Sequence, residues 1–377
     1  MKQKKKILIT IDWFLPGTDS GGPVRSYANL IAHLGADFDF YIITRDTDYC
    51  STTPYKDIQS NAWNDLQGLA HVYYVSKDFL NITHLSALFK TQSFDVIYIN
   101  GIYSWYFSIL PLFIFRHHPH CIVAARGMLN PQAFSIKPFK KRVYLQVAKF
   151  LGVYTNTCFH ATNMLEADYV RNIMGTSVPI HVAPNLPRLI PEAYFERSKS
   201  DVTRFVNVAR VSVEKGTLKM LEAFKYVTDP VHLDIYGPIY DDAYWMVCQK
   251  AIAELPDHIL VRYKGVAKSD TIPSILKRYD YFIMLSEGEN FGHAILEALS
   301  SGLPVVISNK TPWTSLQEKQ IGWDLCTAHL ERVGAVLQDA STLNETDYKT
   351  MSKSAYQYAK DFINDPLLIT ANTDLFL

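Results

Sequence analysis

The run Tyr281-Phe282-Ile283-Met284-Leu285 continues into Ser286-Glu287-Gly288-Glu289-Asn290-Phe291-Gly292-His293-Ala294-Ile295-Leu296-Glu297-Ala298-Leu299, and this stretch decides the fold. Its β-branched and aromatic opening predicts a buried strand that ends at Ser286. A polar, glycine-containing turn follows. Ala294, Ile295, Ala298 and Leu299 then recur at helical spacing, which predicts a helix starting near Phe291 or Gly292. The first amides of that helix lack intrahelical partners and lie at its positive dipole end. A strand feeding such a start makes an anion site, and Gly292 lets a ligand approach the backbone. Glu289 precedes the helix and Glu297 lies about two turns into it. Ionised carboxylates only accept hydrogen bonds, so the pair suits sugar hydroxyls.

The whole chain fits that frame. At 377 residues it is too long for one ordinary core, so two domains are expected. With 37 Lys+Arg against 37 Asp+Glu, no global field favours nucleic acid. The five cysteines are scattered without a Cys-x-x-Cys pair, which argues against zinc and against a disulfide framework and fits a reducing compartment. Ile7 to Ile11 is too short for a signal-peptide core, and Trp105 to Phe115 is too short to span a bilayer.

Apolar runs at 7–12, 38–44, 71–75, 95–100 and 121–125 alternate with helical patterns, which predicts a parallel, doubly wound α/β sheet. Ligands of such sheets bind past the carboxyl ends of strands. Asn100-Gly101, Arg126-Gly127-Met128-Leu129 and His160-Ala161-Thr162 fall at such ends. Between the first strand and a helix at Val24 to Leu34 lies a loop containing Gly21 and Gly22, laid out like a phosphate cradle but without the dinucleotide fingerprint. On sequence alone it reads equally as a plain turn. Arg25 stands at the helix start. Asp46-Thr47-Asp48 and Asp37-Phe38-Asp39 both match an acidic metal triplet by chance, so no metal is expected. Arg126 reads either as a phosphate or acceptor ligand or as a structural cation. His160 reads as a hydrogen-bonded sheet-edge residue before a base. Pro138 to Leu151, with Lys140-Lys141-Arg142, is either a helix with a solvated charged side or, together with Trp105-Tyr106-Phe107, a membrane-facing surface. Pro184-Asn185-Leu186-Pro187 breaks regular structure and sets a hinge near 185–200. The pattern then restarts with Phe205 to Ala209, Arg210, Lys215-Gly216 and a helix from about Thr217 to Tyr226.

Glu289 and Glu297, eight apart with Phe291-Gly292 between, precede Ser301-Gly302-Leu303-Pro304-Val305-Val306-Ile307-Ser308 and Thr311-Pro312-Trp313. This arrangement resembles the donor-sugar motif of glycosyltransferase family 4. Arg126-Gly127-Met128-Leu129 is similar to a motif of one branch of that family. The resemblance implies the GT-B fold, two doubly wound Rossmann-like domains facing a central cleft. It places an acceptor-side domain at 1–190, a donor domain at 191–360 and a segment crossing back to the first domain at 361–377. It implies a metal-independent hexosyl transfer, with retention, from a nucleotide-sugar (UDP ahead of GDP) to a hydroxyl of a glycan or lipid-linked glycan. No cofactor is implied, and no nucleic-acid partner. The expected setting is surface polysaccharide or glycolipid synthesis in the cytoplasm, with peripheral membrane contact through 102–115 and 138–151. The implied catalytic set is Glu289, Arg126 and Asn100. The implied donor-binding set is Gly21, Gly22, Arg210, Lys215, Asn290, Phe291, Gly292 and Glu297. Within it, Arg210 and Lys215 take the diphosphate, Glu289 the sugar hydroxyls and Glu297 the ribose. Asn100 stands where the family commonly has a histidine; it can donate and accept but cannot carry a proton. Ala209 stands where glycine is usual. The alternatives are a nucleotide-sugar epimerase or phosphorylase of the same fold, or a non-catalytic sugar-nucleotide-binding subunit.

Overall fold

The computed structural model describes residues 3–131, 138–189 and 194–377. The chain packs as two units, Met1–Leu189 with Asp365–Leu377, and Ile190–Asn364. Of the stretch 185–200 expected to hold the hinge, residues 190–193 lie outside the described residues.

The first unit is built on strands β1 (Lys6–Thr10), β2 (Asp39–Arg45), β3 (Trp63–Leu66), β4 (Ala70–Val75), β5 (Val96–Asn100), β6 (Cys121–Ala124), β7 (Thr157–Ala161) and β8 (Ile180–Val182). They form one sheet in the order β3-β4-β2-β1-β5-β6-β7-β8. Strand β1 lies between β2 and β5 and runs parallel to both. Its Ile7, Leu8 and Ile9 are wholly buried, as expected of a strand covered on both faces. Every pairing is parallel except β3 with β4. That hairpin was not expected. It turns at Gln67 and Gly68, both with positive φ (54° and 70°), a geometry that matches the twist of the flanking strands. The Asp65 carboxylate holds the turn by accepting from the Gly68 amide at 2.8 Å.

The second unit carries β9 (Thr203–Val208), β10 (Val231–Tyr236), β11 (Ile259–Tyr263), β12 (Tyr281–Met284), β13 (Val305–Ser308) and β14 (Gly322–Leu325). Their order is β11-β10-β9-β12-β13-β14, all parallel. Side chains alternate across a strand, and β12 divides accordingly. Tyr281 and Ile283 join a core with Phe205, Leu221 and Leu337. Phe282 and Met284 join a second core with Ile295, Leu299 and Ala355. Helices therefore cover both faces, and the sheet's carboxyl edge is left to the loops.

Candidate functional site

In the second unit, neighbouring strands β9 and β12 deliver the predicted residues. Their pairing, Tyr281 with Phe205 and Phe282 with Val206, brings the loops beyond both strands together. Beyond β9, Arg210 is half-buried, and Lys215-Gly216 leads into the helix Thr217–Ala223. Gly216 has φ 67°, and a Cβ there would lie 1.9 Å from the Leu285 carbonyl oxygen. The turn is thus pressed onto the end of β12, as no other residue type would allow. Lys215 Nζ forms an ion pair with Glu289 Oε1, the two side chains 24% and 10% exposed. Arg210 has no hydrogen bond or ion pair among the described residues. Its charge and that of Lys215 add to the hydrogen bonds that hold the Glu214 carboxyl below its ordinary range, chiefly that from Glu214's own main chain. Ala209 is absent from the positive-φ residues, so glycine is not required there.

The loop after β12 is fastened by residues that sequence reasoning missed. Glu287 pairs with both Lys219 and Lys310. Burial opposes its ionisation, but the two lysines outweigh it and draw its carboxyl below the ordinary range. The Glu287 amide donates to the Glu214 carbonyl at 2.8 Å, and the Glu289 amide to the Lys310 carbonyl at 3.2 Å. The following helix, His293–Ser300, begins one or two residues later than expected, because Gly292 is a left-handed cap (φ 79°, ψ 58°). The Trp313 indole N–H donates to the Phe291 carbonyl, and the Phe291 ring lies 5.6 Å from that of Trp313. The Phe291 side chain is thus core, only 7% exposed. What this residue can offer a ligand is backbone. Asn290 and Glu297 are half-buried, before and within the helix.

The first unit holds the other predicted residues. Gly21 (φ 83°) and Gly22 open the helix Gly22–Leu34, which starts two residues earlier than expected. A Cβ on either glycine would meet nothing within 4 Å, so the loop faces open space. The far side of the loop is held. Asp48 accepts from the amides of Thr18 (3.0 Å) and Asp19 (3.4 Å), and the Tyr74 hydroxyl donates to the Leu15 carbonyl at 2.6 Å. Asp46 accepts from Ser60 at 2.8 Å. Both acids of the Asp46-Thr47-Asp48 triplet thus serve the loops.

Asn100 ends β5, is 6% exposed, and its Oδ1 has no hydrogen-bond partner among the described residues. Arg126 follows β6 with φ 50°, a strained conformation for a residue other than glycine. Its guanidinium donates to Asn185 Oδ1 and, at 3.2 Å, to the Tyr98 hydroxyl, and lies 4.6 Å from the centre of the Tyr27 ring. The Tyr98 hydroxyl meets His160 Nδ1, and His160 Nε2 lies 2.8 Å from the Ala183 carbonyl oxygen. That carbonyl only accepts, which fixes the proton on Nε2 and leaves Nδ1 to accept from Tyr98. Burial, with the Arg126 charge second, pushes the His160 pKa down to about 3. The imidazole is therefore a neutral strut within the sheet edge. The structure brings Lys215, Glu289 and the Gly292 helix start together on one unit, and Asn100 and Arg126 to adjacent strand ends on the other.

Comparisons with known proteins follow this division. Residues 192–318 match the family model of the glycosyl transferases, group 1. That segment contains Arg210, Lys215, Glu289–Gly292 and Glu297. The chain is 24% identical over 285 residues to GDP-mannose:cellobiosyl-diphosphopolyprenol alpha-mannosyltransferase of Xanthomonas oryzae pv. oryzae (strain PXO99A), covering 72% of this chain and 71% of that one. Among solved structures, sucrose-phosphate synthase from Thermosynechococcus elongatus is similar with a TM-score of 0.72 at 15% identity, covering 99% and 98% of the two chains. HepE of Anabaena, in complex with UDP and glucose, has a TM-score of 0.70 at 14% identity, with 98% of each chain covered. The fold is GT-B.

Proposed function

We propose that the protein is a retaining glycosyltransferase that moves a hexosyl group from a UDP- or GDP-sugar to a hydroxyl of a glycan or lipid-linked glycan. The observation that carries this reading is the meeting of Lys215 and Glu289 at the ends of adjacent strands, beside a helix that opens on a left-handed glycine. A cation, a helix start and a hydroxyl-recognising acid are what a sugar diphosphate needs at one point. In this reading the diphosphate takes Lys215 and Arg210. Negative charge grows on the leaving phosphate oxygen, and these cations with the helix amides stabilise it. Glu289, released from Lys215, accepts from the sugar hydroxyls, and Glu297 from the ribose. The departing phosphate takes the acceptor's proton, so attack and departure share one face. Arg126, held at both Nη atoms, is a fixed charge at the first unit's sheet edge.

The Xanthomonas relative is named for GDP-mannose and a polyprenol-linked acceptor, and this motivates GDP-mannose and a lipid-linked glycan as first choices for assay. A membrane-facing surface fits such an acceptor. The helix Pro138–Phe150 buries Leu145 and Ala148 and exposes Phe139 (78%), Val143, Val147 and Phe150 (91%) in one stripe. Lys140, Arg142 and Lys149 are exposed beside it. Apolar anchors flanked by cations suit an anionic bilayer surface. Among the described residues, no helix is long and apolar enough to cross a membrane.

The test is a turnover screen across UDP- and GDP-sugars with Glu297→Ala alongside, and NMR of the product's anomeric centre. The expected result is turnover with one donor, an unchanged anomeric configuration, and sharply weaker nucleotide binding by the variant. An inverted linkage, or equal nucleotide affinity in Glu297→Ala, removes the corresponding assignment.

A further inference from the structure

At the carboxyl ends of β1, β2 and β5, a second set of polar groups stands apart from those assigned above. Asp12 lies just beyond β1, at the middle of the sheet, and its side chain is 17% exposed. Its Oδ1 accepts from Ser104 Oγ at 2.8 Å and, more weakly, from Arg45 Nη2 at 3.4 Å. Its Oδ2 has no hydrogen bond among the described residues. Arg45 ends β2 and lies 5.9 Å from the centre of the half-buried Trp13 ring and 5.3 Å from that of Phe107. Its Nε is buried without a hydrogen-bond partner among the described residues. Among these the pair is therefore half-satisfied on both sides: Asp12 keeps an acceptor oxygen without a bond, and the 29% exposed Arg45 side chain makes only one weak bond from its terminal nitrogens, beside an indole.

Buried polar groups are normally paired, and one that is not asks for an explanation. Desolvation, opposed by Ser104 and then by Arg45, leaves the Asp12 carboxyl above its ordinary range. Its burial thus works against the folded ligand-free chain, as is common where side chains are kept for binding. The signs narrow the ligand. Asp12 repels an anion and Arg45 repels a cation. A neutral diol suits both, since each hydroxyl can donate to Asp12 Oδ2 and accept from Arg45, while a sugar's C–H face packs on Trp13.

We propose that Asp12, Arg45, Ser104 and Trp13 form a subsite for the vicinal diol of a saccharide, the terminal sugar of the acceptor. The role as acceptor sugar rests on the glycosyl-transfer reading; the diol chemistry does not. The experiment compares the full-length chain with Asp12→Asn and Arg45→Gln. One arm follows binding of cellobiose and methyl α-mannoside by saturation-transfer NMR, with UDP or GDP present. A second measures how much more tightly UDP-glucose and GDP-mannose bind than UDP and GDP. A third records melting temperature. Asp12→Asn is expected to weaken saccharide binding about tenfold or more, with UDP and GDP affinity unchanged and the melting temperature unchanged or higher. Loss in the first arm assigns the diol to the acceptor, and loss in the second alone to the donor sugar; either supports the subsite. Equal saccharide affinity in both variants overturns it, as does a wild type that binds no saccharide in either arm. A lowered melting temperature with saccharide affinity intact marks a structural acid and also overturns it. Failure of UDP and GDP to bind would refute the glycosyl-transfer reading while leaving the saccharide arm readable.

Discussion

Replacing Lys215 by methionine separates the two tasks assigned to its ammonium. In the ligand-free chain Lys215 neutralises Glu289, whose side chain is only 10% exposed while that of Lys215 is 24% exposed. Losing the partner of a hydrogen-bonded charge costs about 1.5–3 kcal/mol, and the lysine's access to solvent puts the stability loss near the lower end, about 1.5 kcal/mol. In turnover the same change removes a cation from the developing phosphate charge. That is again about 1.5–3 kcal/mol, or roughly 10- to 150-fold in kcat/KM. The double variant Lys215→Met with Glu289→Gln no longer strands a carboxylate, so most of the stability returns. Activity does not return, because neither the cation nor the acid is present. Melting curves, calorimetric titration with UDP and GDP, and initial rates on the two single variants and the double one close the cycle. Recovery of turnover in the double variant would refute the reasoning, and so would wild-type nucleotide affinity in Lys215→Met.

Three further expectations follow from single features. Gly216→Ala drives a Cβ to 1.9 Å from a main-chain oxygen and should leave the second unit unable to fold, whereas Gly21→Ala meets open space and should cost only backbone strain, roughly 1–3 kcal/mol; melting temperatures of the two variants compare them. His160 has a folded pKa near 3 against an ordinary 6.5, so as pH falls the unfolded chain takes the proton first. Its contribution to stability is whole above about pH 6.5 and is lost toward pH 3, by up to about 1.4 kcal/mol per pH unit. Wild type should therefore lose roughly 2–3 kcal/mol relative to His160→Gln between pH 7 and 4.5 in denaturant titrations, and parallel loss would contradict a buried neutral imidazole. Phe139→Glu with Phe150→Glu removes two exposed anchors worth about 1.5–3 kcal/mol each when buried. Sedimentation with anionic vesicles should fall at least tenfold, with donor binding intact.

Legibility in the sequence followed the range of the interactions. The strand Tyr281–Met284 and its helix could be read because their signals are local: an apolar run, a glycine, a helical period. Glu289 and Glu297 came with them. Glu287 did not. Its partners Lys219 and Lys310 lie 68 and 23 residues away, and before folding it resembles any surface acid. The β3 hairpin was missed for a different reason. Its turn uses Gln67 where asparagine or aspartate is the usual sign, and the Asp65 side chain supplies the support. The helix Glu345–Ile363 opens on polar residues, and its start is set by the Asn344 side chain, which accepts from the Asp347 amide.

The residues at strand ends raise a harder point. Position at a carboxyl edge was readable for Asn100, Arg126 and His160 alike, yet the structure gives them different chemistry. His160 has both ring nitrogens engaged and is held neutral, so it can neither take nor deliver a proton to a ligand near pH 7. Arg126 spends both terminal nitrogens on Asn185 and Tyr98, while its Nε is buried with no hydrogen bond among the described residues. Asn100 has an acceptor oxygen still to be satisfied, as Arg45 has a donor. A motif can mark which side chains reach an edge. Which of them has hydrogen-bonding capacity left over depends on partners from other strands, and that remainder is what a substrate can use. By this criterion Asn100, Asp12 and Arg45 are better placed than His160 to touch a sugar hydroxyl directly, although Asp12 and Arg45 belong to no recognised pattern.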